Sequence, residues 1–235
     1  MQRLAVTITL LTVAARPAAA QTSYRVVWWD AASVVAAGGL SVIPEAAGLP
    51  RGAPPCAPCD PASLPGIDRA ALHTFSGSAG TASGVLLASV VAFSGVASLK
   101  GATPAQIRGH VAVYANALTW TLATSQWVKV LTHRSRPVLY SAGAAVAASD
   151  RDSRRSFPSS HAALAFAATA AYVVMAERER LPHRTRNAVL LYAAALGVAA
   201  LRVSAGQHFP TDVAGGAALG TGIGWLTARV HATGP

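Results

Sequence analysis

Charge is what this chain lacks. Only 12% of its 235 residues are charged, about half the share of a soluble domain, while 52% are hydrophobic. Acids are scarcest: 9 Asp and Glu stand against 19 Lys and Arg, for a formal net charge of +10. Two cysteines exclude a disulfide-stapled mini-protein, and the hydrophobic fraction excludes a disordered chain. The basic residues form no stripe interleaved with aromatics, and the remainder is too apolar for a solvated basic face. Nucleic acid is therefore the weakest anionic partner, behind a membrane surface or a phosphorylated substrate. The length suits one domain of up to six helices.

Long uncharged runs take the place of charge. Residues 1–20 read as a secretory signal: Arg3, the apolar stretch Leu4 to Ala15, then Ala18-Ala19-Ala20 before Gln21. The alternative is an uncleaved anchor. Residues 21–74 are expected to hold an interfacial helix over 26–43, headed by Trp28 and Trp29 and ended by Pro44, then a Pro/Gly/Ala loop. With the signal cleaved, segment 26–43 lies along or dips into the outer leaflet; with it retained, the segment spans. In an exported chain Cys56 and Cys59 are candidates for a disulfide closing a tight loop, with a metal half-site or a redox pair as rivals. Runs 79–99, 109–128, 162–176, 188–201 and 213–228 carry no charged residue and approach bilayer-spanning length. They lack the polar stripe of a soluble amphipathic helix. Gly216, Gly220 and Gly224, four apart, suggest a close-packing helix face, and Gly80 and Gly84 hint at another. Residues 75–235 are thus expected to form an all-α, membrane-embedded bundle of about five to six helices; an Ala-rich soluble core is the alternative.

Polar residues able to do chemistry gather at three places, all at one end of the expected helices. Lys129 and Arg136-Pro137 leave the second run, a point charge and a planar fork suited to phosphate oxygens. Pro158-Ser159-Ser160-His161 opens the third, where free backbone N–H groups face any anion at the helix start. Arg202, His208 and Asp212 precede the fifth, the last two at a spacing that lets a carboxylate fix an imidazole tautomer. Each cluster alone has a plain structural reading: a membrane anchor, an N-cap, a helix-start ion pair. Their conjunction is harder to explain that way.

In this order the three clusters resemble the signature motifs of the type-2 phosphatidic acid phosphatase superfamily, over about residues 75–230. That group includes lipid phosphate phosphatases, bacterial acid phosphatases and vanadium haloperoxidases. Ser160 stands where glycine is typical, and Leu201 where a serine usually precedes the arginine. The resemblance implies that His208 attacks phosphorus, Asp212 orients it, and His161 protonates the leaving oxygen and later activates water. It implies that Lys129, Arg136, Ser159, Ser160 and Arg202 bind the phosphate, with no metal and no cofactor. The expected setting is a bacterial inner membrane with the site facing the periplasm, and the expected partners are a lipid phosphate substrate and membrane lipids. Undecaprenyl diphosphate, phosphatidic acid and phosphatidylglycerol phosphate all fit. A soluble acid phosphatase, a haloperoxidase and a non-catalytic lipid-binding relative are the alternatives. His133 and the Arg151/Arg154/Arg155 loop are expected to be solvated, the loop with a further option of gathering anionic headgroups.

Overall fold

The computed structural model describes residues 23–233, so the expected signal at 1–20 lies outside them. Among the described residues the fold is all-helical: α1 (Trp28–Ala46), α2 (Gly66–Arg69), α3 (Gly77–Leu99), α4 (Pro104–Thr132), α5 (Ala144–Ala147), α6 (Ser160–Arg178), α7 (Arg184–Ser204) and α8 (Pro210–Val230). Six are long; α2 and α5 are single turns in loops that no apolar run announces. Each of the five uncharged runs lies inside a helix, α3, α4, α6, α7 and α8 in turn.

Helix starts follow local chemistry. Thr103 and Gln106 cap α4 reciprocally, with Pro104 in its first turn, and Ser76 accepts from Ala79 N at the start of α3. Contrary to the sequence expectation, Pro44 does not end α1, which continues to Ala46. Proline lacks the N–H that would bond Leu40, four residues back. Trp127 Nε1 of α4 supplies the replacement, donating to Leu40 O at 3.0 Å. Trp120 Nε1 to Ser33 Oγ at 2.8 Å and Asn116 Nδ2 to Asp30 O at 3.4 Å extend the same seam, so α1 runs beside α4 in the same direction.

The long helices alternate in direction. At one end, Ser76 N meets Ser204 O, Thr132 Oγ1 meets Phe157 O, and Ser159 N meets Asp212 O. At the other, Tyr24 bridges to Ala232 and His110 Nε2 lies 2.8 Å from Glu179. Helix α6 is the axis, touching α3, α4, α7 and α8. Its buried residues between Ala162 and Ala176 are mostly alanine, with Phe166, Thr169, Tyr172 and Met175 among them.

Alanine on α6 and glycine on α8 bring those two helices together. A Cβ on Gly216, Gly220 or Gly224 would fall 2.5, 1.9 or 2.4 Å from the carbonyl oxygens of Ser159, Ala163 and Ala167, so only glycine fits. The expectation of a second close-packing face at Gly80 and Gly84 is not met: the nearest atom to a Cβ on Gly80 is 3.8 Å away, and Gly84 faces open space. Three helices, α3, α6 and α7, are long and apolar enough to cross a membrane. α6 has 72% of its apolar window buried, whereas α3 and α7 have 22% and 28%. The outer helices therefore turn apolar side chains such as Phe93, Val96, Leu190 and Leu196 outward.

Candidate active site

The three clusters converge on one cavity of about 740 Å³ at the end of the bundle where α4 and α7 finish and α6 and α8 begin. Lys129, Arg136, Ser160, His161, Arg202 and His208 line it, and Ser159 lies buried beside Ser160. The tight α6–α8 contact at Gly216 sets the start of α6 against the start of α8, and so sets Ser159 against Asp212.

His208 is buried, and its Nδ1 lies 2.7 Å from the Ser156 carbonyl. A carbonyl only accepts, so Nδ1 carries the proton and Nε2 keeps its lone pair. Burial, then the charges of Arg136, Lys129 and Arg202, hold the imidazole well below its ordinary pKa, outweighing the Ser156 bond that favours the charged form. The ring is therefore a neutral base at physiological pH.

Asp212 does not bond this ring directly, as the sequence suggested; its Oδ2 is 3.7 Å from Nδ1. The same oxygen accepts from Ser156 Oγ at 2.5 Å and from Phe209 N at 2.8 Å. Asp212 thus grips the residue whose carbonyl holds His208 and caps α8 at the same time. Its other oxygen takes Arg134 Nη1 at 2.5 Å. Arg134 also reaches Asp68 at 2.6 Å, and Asp68 accepts Thr211 N at 3.0 Å and Thr211 Oγ1 at 2.7 Å. Arg134, Asp68 and Ser156 support the site but have no sequence signal: Asp68 sits 66 residues from Arg134, in a short loop helix.

The cations are the second feature. Lys129 and Arg202 are buried, yet among the described residues neither pairs with a carboxylate; Lys129 Nζ donates to Arg155 O at 3.0 Å and Arg202 Nη1 to Ser83 Oγ at 3.4 Å. Burial first, with help from Arg136, lowers the Lys129 pKa to about 7. Arg136 meets Asp152 at 2.7 Å and Gln207 Oε1 at 2.6 Å. Among the described residues the buried hydroxyls of Ser159 and Ser160 have no partner, nor has Arg202 Nε. The first N–H groups of α6 have no intrahelical acceptor either. Cations, hydroxyls and N–H groups all donate, and together they make an anion slot.

One expectation about loops changes. The Arg151–Arg155 segment is not a solvated face: Arg154 and Arg155 are buried, Arg154 donating to Pro50 O and Arg51 O, while Arg155 lines the cavity. His133 is exposed, capping α4 in a left-handed conformation. Cys56 and Cys59 are joined as a disulfide, and Cys59 N donates to Leu139 O at 2.8 Å, fastening that loop near the site.

A family model described as the PAP2 superfamily matches residues 110–234, more than half of the chain. The chain belongs to the PAP2 superfamily. No curated protein and no solved structure matches it. Membership in PAP2, a superfamily that includes phosphatases, supports a phosphoester hydrolase in the general sense, and the matched range contains every motif residue that lines the cavity.

Proposed function

We propose that this PAP2 protein is a membrane-embedded phosphatase that hydrolyses lipid phosphates or isoprenoid diphosphates through a phosphohistidine on His208. The observation that carries the reading is the pair of buried cations, Lys129 and Arg202, with no carboxylate partner beside a neutral, oriented histidine. Leaving buried charge uncompensated costs several kcal/mol, which an anionic ligand offsets.

In this reading Nε2 of His208 attacks phosphorus while Lys129, Arg136, Arg202, Ser159 and the α6 start hold the equatorial oxygens. Phosphoryl transfer asks mainly for positioning and charge stabilisation, and this set supplies both. Burial, then the charges of Arg202, Lys129 and Arg136, lower the pKa of His161, in the first turn of α6, to about 4. It therefore takes up a proton only as the bound phosphate offsets those cations, and it gives that proton to the leaving oxygen as the P–O bond breaks. It then takes one from water, whose oxygen attacks the phosphohistidine and frees His208.

The outward apolar faces of α3 and α7 favour a lipid setting, since contiguous exposed apolar surface is unfavourable in water. In our reading α1 crosses with the other five long helices, the site opens to the periplasm, and the Tyr24–Ala232 end faces the cytoplasm of a bacterial cell. Residues 1–20 then direct insertion without being removed on the periplasmic side.

The test is phosphate release by detergent-solubilised protein in excess EDTA. The substrates are undecaprenyl diphosphate, phosphatidic acid, phosphatidylglycerol phosphate and a soluble aryl phosphate. We expect release from at least one lipid substrate. Release from the aryl ester alone, with protein freed by a carbonate wash of membranes, points instead to a soluble acid phosphatase.

A further inference from the structure

The motif cations suffice for one phosphoryl group, yet the cavity holds another. Arg155 lines it from the loop before α6 and is 6% exposed. Its Nη1 donates to Glu45 at 2.6 Å, its Nη2 to Gln126, and its buried Nε has no partner among the described residues. The guanidinium is therefore clamped between the end of α1 and the last turns of α4.

Lys129 Nζ donates to the Arg155 carbonyl at 3.0 Å, and the Arg155 guanidinium reaches Glu45 of α1 and Gln126 of α4, on the Lys129 side of the cavity. Around it α1 and α4 supply a mixed wall, with Glu45, Ser41 and Gln126 alongside the apolar Val42, Ala46 and Leu122. A substrate tail leaving along this wall carries its own first phosphate past Arg155.

We propose that Arg155 is a specificity-determining residue that binds the tail-side phosphate of a diphosphate ester while the terminal phosphate lies at His208. The inference rests on the phosphatase reading above. The bond formed is Nε2–P to the terminal phosphorus; the bond broken is from that phosphorus to the bridging oxygen. The tail-linked phosphate leaves with the electron pair and takes the proton of His161. Arg155 stabilises the charge that accumulates there. A monoester has no group to place at Arg155, so the guanidinium contributes to one substrate class and not the other.

The experiment compares farnesyl diphosphate with farnesyl monophosphate, identical in tail, on the parent protein and on Arg155→Gln and Arg155→Lys. A charge-assisted contact predicts that Arg155→Gln lowers kcat/KM for the diphosphate by about tenfold more than for the monophosphate. Arg155→Lys, which keeps the charge on a stem of similar length, should fall between the two. Equal losses on both substrates, or an unchanged ratio, would overturn the proposal and leave Arg155 as a strut between α1 and α4. No release from either substrate by the parent protein would instead sink the phosphatase reading itself.

Discussion

At the far end of the bundle, charge is settled inside the protein or in water. His110 meets Glu179 at 2.8 Å, His231 meets Asp30 at 3.0 Å, and Lys100, Arg108, Arg186 and Arg229 are exposed. At the site end, Lys129 and Arg202 are buried with only neutral oxygens as protein partners. Unpaired polar atoms do not separate the two ends, because among the described residues Tyr24 Oη, His110 Nδ1 and Glu179 Oε1 lack partners just as the Ser159 and Ser160 hydroxyls do. The difference is one of charge. One end stitches helices and both described chain ends together; at the other, Arg134, Arg136 and Arg155 have carboxylate partners, but among the described residues Lys129 and Arg202 have none, beside a neutral base.

The largest break in that contrast is His208→Ala. If the site end does the chemistry, this change lowers phosphate release by about four orders of magnitude or more, as loss of a nucleophile does. Circular dichroism and membrane extraction should match the parent protein. Persistence of activity would move the nucleophile elsewhere. Next come Lys129→Ala and Arg202→Ala, each removing a donor aimed at developing phosphoryl charge, with an expected loss of about 10²- to 10³-fold in kcat/KM. Measured without ligand, these same variants should hold or raise thermal stability, because a buried unpaired cation is a cost to folding.

A pH series sharpens the contrast further. Lys129 has a pKa lowered to about 7, so it is charged below that value and neutral above it. The phosphate dianion is already formed by then, its second pKa being about 6. KM should therefore climb as pH rises through 7, by up to about tenfold per unit. Lys129→Arg, which stays protonated, should flatten the climb. A KM that is level from pH 6.5 to 8.5 in the parent protein would show that Lys129 does not titrate against the substrate.

How far the sequence foretold this site follows from the range of each interaction. The three motifs are local, and each ends up on the cavity because uncharged runs force helices between them and helix ends then meet. The Gly216, Gly220 and Gly224 stripe is legible for the same reason: a four-residue period is a helix face wherever it lands. Gly80 and Gly84 share that period without a partner helix close enough to need it. Arg134 and Asp68 could not be found this way, since their pairing depends on a loop folding back across the start of α8. Pro44 misleads because the donor that replaces its missing N–H, Trp127, lies on another helix. Arg155 looked solvated because charge in a loop ordinarily is; only the fold shows Glu45 and Gln126 drawing it inward.

The smallest expected effect on activity comes from the far end. His110→Gln removes the imidazole facing Glu179, leaving a buried carboxylate short of its partner, and should cost on the order of 3 kcal/mol of stability. The pair sits at the start of α4 and the end of α6, opposite the ends that carry Lys129 and His161. Below its melting transition the variant should therefore keep the parent kcat and KM while losing several degrees in Tm. A parallel fall in kcat at a temperature where the fold is intact would mean that strain at one end of α6 reaches the other. An alanine-rich axis that α8 approaches to backbone contact could transmit such strain, and the two ends would then be coupled rather than divided in labour.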